Sequence, residues 1–193
     1  MRAGQLVVAT PALLDPHFAR TVVLLLQVSD EDGAVGVVLN RPTGTSLDDV
    51  LPGWSELAAS PPAVFSGGPV EPAAAICLGR ARSSSSAAPS GQERAAFSAL
   101  DGLPGGAVGT VDLEASPGDL VATVAQVRVF AGYAGWTSGQ LEAEVAEGAW
   151  WVLEMLPADA FDDGPEQLWQ RVLRRQGPPV AFAATYPEDP TLN

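Results

Sequence analysis

The chain has 193 residues, 47% of them hydrophobic, with 23 acidic and 10 basic side chains and a net charge of −13. That size and apolar content suit one domain with a substantial core, and the negative field disfavours phosphate backbones and anionic membrane surfaces. Every basic residue is arginine, with one cysteine (Cys77) and one histidine (His17), which excludes lysine-dependent phosphate loops, Schiff-base chemistry, an intramolecular disulfide and the usual structural zinc sites.

Leu6-Val7-Val8-Ala9 reads as a short strand closed by Pro11. Thr21 to Val28 is a nearly continuous aliphatic run, the pattern of a strand buried on both faces. Ser29-Asp30-Glu31-Asp32-Gly33 carries turn chemistry, and Ala34 to Asn40 is the next strand, so the two form a β-hairpin. Arg41-Pro42 ends it. Ser46 offers an N-cap for a short helix over Leu47 to Val50 that stops near Pro52-Gly53. Strands follow at Ala63 to Ser66 and Ala74 to Leu78, separated by Gly67-Gly68-Pro69-Val70.

Residues 81–95, with Ser83-Ser84-Ser85-Ser86 and Pro89, are expected to form an exposed, mobile loop. Val108 to Val111 is a strand. Ser116-Pro117-Gly118-Asp119 starts a helix that carries Leu120, Val121 and Val124. Val127 to Ala131 alternates as a strand and leads into the Gly132 to Glu144 stretch, where three glycines beside two rings suggest a sharply bent loop pressed against packed neighbours. Ser138 is placed to cap a helix with Leu141 and Val145 on one face and Glu142, Glu144 and Glu147 as its solvated side. Trp150 to Leu153 is a strand. Pro165 to Gln176 is the clearest helix, with Leu168, Trp169, Val172 and Leu173 sharing a face and Gly177 as its stop. A proline-rich tail from Pro178 hugs the surface or frays. Strands and helices without a regular strand-helix-strand repeat argue for a single α+β domain. No basic leader or run of about 20 apolar residues appears, so a cytoplasmic protein is expected.

Candidate chemistry concentrates in three places. Asn40 and Arg41 follow a buried strand: Arg41 could grip a carboxylate or phosphate bidentately, or Asn40 could satisfy turn groups while Arg41 pairs with an acid. Gly67 and Gly68 form either a backbone nest for an anion or a tight turn between strands. Tyr133, Gly135 and Trp136 line a pocket with the N–H groups of Gly139 and Gln140, or pack in the core; Gln140 and Glu142 are the side chains packing explains least. Nucleophilic catalysis has only His17 as imidazole base and no Gly-x-Ser-x-Gly elbow; Cys77 lies in an apolar strand as a small hydrophobe. No metal loop and no cofactor motif is present.

Four stretches in order resemble the YqgE/AlgH family of uncharacterised bacterial proteins: Asp15-Pro16-His17-Phe18 leading into Thr21-Val22-Val23; Gly33 to Pro42; Gly67-Gly68-Pro69-Val70; and Gly132 to Glu144 followed by Trp150. The resemblance spans nearly the whole chain. It implies a compact α+β fold with a branched, barrel-containing mixed sheet flanked by helices, and it implies no established activity. Some members are named transcriptional regulators on genetic grounds. Members often carry histidine where this chain has Gln27, and another near Gly79, so a histidine-based site does not transfer to this chain. The expectation is a non-enzymatic binding or regulatory protein for a small anionic ligand or a protein partner. The alternatives are an enzyme using a carboxylate with Arg41, or a DNA-binding regulator, which the charge and the absence of a helix-turn-helix disfavour.

Overall fold

A computed structural model describes residues 1–82, 96–103 and 107–187. Its strands are β1 (Gln5–Ala9), β2 (Val22–Ser29), β3 (Gly33–Val38), β4 (Pro42–Ser46), β5 (Ala63–Ser66), β6 (Val70–Ala81), β7 (Phe97–Ala99), β8 (Val108–Val111), β9 (Val124–Trp136) and β10 (Trp150–Glu154). The helices are short: α1 (Leu47–Val50), α2 (Pro117–Leu120), α3 (Gln140–Ala146), α4 (Leu168–Arg174) and α5 (Val180–Ala183). The strands form one curled, mixed sheet in the order β10-β1-β2-β3-β9-β6-β8-β7, with β4 and β5 as a side branch.

The branch is built on β9. One edge of β9 pairs antiparallel with β6 from Val70↔Tyr133 to Ala81↔Val124. The other edge is shared in succession: β5 pairs parallel at Val64↔Val129, Phe65↔Phe130 and Ser66↔Ala131, then β3 pairs antiparallel at Gly36↔Ala134, Val35↔Gly135 and Ala34↔Trp136. Gly132, with φ +69°, marks the changeover. The first five residues of the stretch read from sequence as a bent loop, Gly132 to Trp136, are therefore the end of a 13-residue strand, and its last five open α3. Gly132 admits neighbouring backbone rather than a turn: a Cβ there would stand 2.7 Å from the Gly68 oxygen and 2.8 Å from the Val70 oxygen.

Because β5 and β6 lie on opposite edges of β9, Gly67-Gly68-Pro69 must cross over that strand. A Cβ at Gly67 would stand 2.2 Å from the Gly132 oxygen, and one at Gly68 would stand 2.3 Å from the carbonyl of Tyr133. Backbone rests directly on backbone. The segment is a crossover, not a tight turn between paired strands, and the Gly67 N–H is committed to the Ala131 oxygen at 2.8 Å.

Alternation along the central strands divides the core. Leu6, Val8, Val22 and Leu24 point into the curl, where α4 contributes Leu168, Trp169, Val172 and Leu173. Val7, Ala9, Val23 and Leu25 face the opposite way, against Trp136, Leu141 and Trp150. A third cluster places Leu47, Trp54 and Leu120 against Val64, Cys77 and Val129. The expected double burial of the Thr21–Val28 run follows from this two-sided packing.

Several local expectations differ in detail. Ser46 and Ser116 occupy N-cap positions without a side-chain cap bond, and α2 ends at Leu120 so that Val124 opens β9. Gly139, with φ +74°, is the N-cap of α3, while Ser138 Oγ donates to the Asp30 carbonyl at 2.6 Å and ties the helix start to the hairpin turn. Helix α4 is preceded by a 3-10 turn at Pro165–Gln167. The tail includes α5, whose Ala183 is buried in the main core. Most of the expected loop over 81–95 lies outside the described residues.

Arginines fasten the C-terminal third to the sheet. Arg175 pairs with buried Asp159 at 2.5 Å, and Arg171 pairs with Asp162. Arg20 lies 4.6 Å from the Trp169 ring centroid and donates to the Tyr186 and Pro187 carbonyls. Arg128, on β9, is only 2% exposed. It reaches the carbonyls of Ser60, Ala160 and Asp162 and lies over the Phe65 ring.

Candidate functional site

The segment from Asp15 to Arg20 is the rim on which the predicted residues meet. Asp15 turns it: its Oδ1 accepts the His17 N–H at 2.8 Å and its carbonyl accepts from Phe18 and Ala19. Arg20 has φ +57°, uncommon for a residue with a side chain. Asn40 accounts for that conformation. Its Oδ1 accepts from Val22 N and its Nδ2 donates to the Arg20 carbonyl, both at 2.9 Å, so a buried amide latches the rim to the end of β3. This is the structural half of the sequence reading for Asn40.

Arg41 follows directly. Its Nη2 donates to the Ala19 carbonyl at 2.8 Å, its own carbonyl accepts from Ser66 N at 2.8 Å, and the side chain is exposed. Among the described residues no carboxylate lies within the 4.0 Å ion-pair distance of Arg41. The acid expected from sequence as an alternative partner of Arg41 is replaced by a main-chain oxygen, which positions the guanidinium without neutralising it.

Beside Ala19, the Phe18 ring stacks on Trp136 at 6.1 Å and meets Trp150 edge-on at 5.5 Å, while the two indoles cross at 5.9 Å. Both indole N–H groups donate to one carboxylate oxygen, Glu144 Oε2, at 3.0 and 2.8 Å. Gln140 Nε2 donates to Glu144 Oε1 at 2.9 Å, and Gln140 Oε1 accepts from Thr137 N at 3.0 Å. Gln140 is thus part of a network, whereas Glu142 and Gly139 are exposed. Tyr133 is half-buried against the main core, and Gly135 is exposed beside the Tyr133 ring and Val70.

The structure joins Asn40, Arg41 and Trp136 through the rim, and Gly67 and Gly68 to Tyr133 through the crossover. Sequence reasoning missed Glu144, because its spacing from Glu142 and Glu147 resembles an ordinary solvated face. The available signal was an acid within one or two turns of two tryptophans whose N–H groups need acceptors once buried. Replacing Glu144 by Leu is expected to cost about 2–3 kcal/mol, since two indoles lose a charged acceptor. Glu144→Gln, which retains an acceptor oxygen, should cost less than half as much. Urea unfolding of the two variants makes the comparison.

Other chemistry has little support in this geometry. Cys77 is buried on β6, and burial pushes its thiol up to about 12. Native Cys77 should therefore resist an aromatic disulfide reagent at pH 8 and react fully in urea; rapid native labelling would contradict its placement. Among the described residues no group of three or more His, Cys, Asp or Glu side chains is arranged to hold a metal ion. Among them, too, no helix is long and apolar enough to cross a membrane.

Similar proteins cover nearly all of this architecture. A UPF0301 protein of Streptomyces avermitilis is 50% identical over 192 residues, covering 98% of this chain and 94% of its own length. One from Thermobifida fusca is 45% identical over 196 residues, covering 98% of this chain and 94% of its own. The crystal structure of protein DIP2367 from Corynebacterium diphtheriae superposes with a TM-score of 0.86 at 28% identity, covering 96% of this chain and 93% of that one. The solution structure of the AlgH protein from Pseudomonas aeruginosa gives 0.62 at 28% identity, covering 96% and 94%. The family model described as AlgH-like (DUF179) matches residues 6–181, and with these relatives it establishes that the chain belongs to the AlgH-like family.

Proposed function

We propose that this AlgH-like chain is a non-enzymatic binding protein that receives a small anion, free or carried as an acidic group on a protein partner, at Arg41. The observation that carries this reading is the state of that guanidinium: exposed, held by the Ala19 carbonyl, and without an ion-pair partner among the described residues. A planar fork with most of its five N–H donors unspent is suited to bidentate recognition of a carboxylate or phosphate. Holding the side chain in advance reduces the entropy lost on binding. The Asn40 latch supports this by fixing the rim that presents Ala19. The enzyme alternative would need an acid beside Arg41, and none of the described carboxylates stands within ion-pair distance.

A thermal-shift panel of inorganic phosphate, citrate, aspartate and adenosine triphosphate tests the reading on wild type, Arg41→Ala and Arg41→Lys. At least one anion should stabilise the wild type. Arg41→Ala should abolish that shift, and Arg41→Lys should retain less than half of it, because an ammonium lacks the fork. An equal response in Arg41→Ala, or no response to any anion, contradicts it.

A further inference from the structure

We propose that the open seam of the curled sheet is a separate binding site, for a small amphiphilic cation: an amine carried on an apolar body. The sheet runs from β10 to β7 and does not return from β7 to β2. Two irregularities flank the gap. The β2–β3 register shifts between Leu25 and Gln27, and β6 leaves β9 between Val70 and Ala75, where Glu71 adopts φ +44°. Between these distortions lies a cleft of about 480 Å³, within the range that holds small molecules.

The lining divides by chemistry. Leu26, Val35 and Ile76 supply an apolar wall, while Gln27, Ser98 and Thr110 supply uncharged hydrogen-bonding groups. Asp101 is the one charged residue among the described lining residues. None of the polar side-chain atoms of Gln27, Ser98, Asp101 or Thr110 bonds to another described residue, unlike those of Asn40 or Glu144. The Asp101 segment is held in place from behind: Arg2 donates to the Gly102 carbonyl at 3.0 Å, and Gly4 lies so close to the Asp101 carbonyl that a Cβ there would stand at 2.8 Å. An acidic residue on a held main-chain segment, beside a cleft with both apolar and uncharged polar lining, suits an ammonium on a hydrophobic body. The chain's net charge of −13 raises the local concentration of such cations. The sign of this site is opposite to that of Arg41, and the two inferences stand apart.

Tryptamine and its uncharged twin indole-3-ethanol are suitable probes, titrated into isotopically labelled full-length protein by amide NMR. Tryptamine should give saturable shifts at Gln27, Ser98 and Thr110, and indole-3-ethanol weaker ones at the same amides. Asp101→Asn should weaken tryptamine about threefold to fivefold, the range of a partly exposed ion pair, and leave indole-3-ethanol unchanged. Ser98→Trp, which fills the cleft from the face of β7 that pairs with Thr110, should abolish both. Arg41→Ala should bind tryptamine as the wild type does. No saturable shift in the wild type, shifts on another surface, or an Asp101→Asn effect that is absent or equal for both probes overturns the proposal.

Discussion

Replacing Arg128 by alanine is expected to destabilise the protein by about 3–5 kcal/mol, the cost of breaking a buried charged network. For a chain of this size that corresponds to a fall in melting temperature of about 6–20 °C. The side chain is 2% exposed and serves the Ser60, Ala160 and Asp162 carbonyls, so one truncation leaves three main-chain acceptors without their donor. It also removes the cation lying 4.3 Å from the Phe65 ring centroid. Burial draws the guanidinium down to about 10, against the opposing fields of Asp162 and Asp163, so it remains charged near neutrality. Its Nε has no hydrogen-bond partner among the described residues, so the network is not fully satisfied. Arg128→Lys should recover little, because one ammonium cannot reach carbonyls on separate segments as the fork does. A melting temperature for Arg128→Ala within about 2 °C of wild type would contradict the role, since that is the shift for less than about 1 kcal/mol.

Gly68→Ala is expected to be at least as damaging, above about 4 kcal/mol, because the added methyl meets main chain on both counts of space and conformation. Its Cβ would lie 2.3 Å from the Tyr133 carbonyl carbon and oxygen, at a φ of +152° that side chains rarely adopt. Relief requires lifting the crossover off β9, which breaks the Gly67 N–H bond to Ala131 and the Val38 N–H bond to Gly67. Gly44→Ala is the matched control. Nothing stands within 4 Å of its Cβ position, so it should change stability by less than about 0.5 kcal/mol. Soluble yield and urea midpoint of the two variants decide the matter: equal behaviour would mean that the glycines are not required by the crossing.

Elements carried by side-chain pattern were legible in the sequence. The aliphatic runs of β1, β2 and β3, the polar turn between β2 and β3, and the buried face of α4 all follow from periodicity, because each buries its own apolar residues. Elements carried by backbone pairing were not. Strand β4 is Pro42-Thr43-Gly44-Thr45-Ser46, and it pairs with β5 while burying little. The Gly132–Trp136 stretch reads as a loop because its small residues signal freedom, yet it pairs as a strand, and Gly132 is required by the backbone of Gly68 and Val70 lying against it. Arg128 occupies a polar slot in an alternating Val-Arg-Val-Phe strand, and alternation alone assigns it to solvent; only the fold brings a loop of carbonyls over it.

The candidate site was legible in part for the same reason. Arg41 stood out as a cation after a buried strand, and Trp136 and Gln140 as polar-tipped groups near a helix start. Arg41 reaches the Asp15–Arg20 rim from 22 residues away, whereas Trp136 reaches it across more than a hundred residues of sequence, through Phe18. Glu144 was hidden because its two indole donors become acceptor-hungry only after the β9–α3–β10 unit packs.

The most direct measurement is isothermal titration of the strongest anion from the Arg41 panel into wild-type protein and Arg41→Ala in matched buffer. One saturable site in the wild type, with affinity at least about tenfold weaker in the variant, is the predicted result; tenfold corresponds to about 1.4 kcal/mol, within reach of a charged hydrogen bond. Equal affinities for the two proteins would remove the basis for an anion-binding role at that guanidinium.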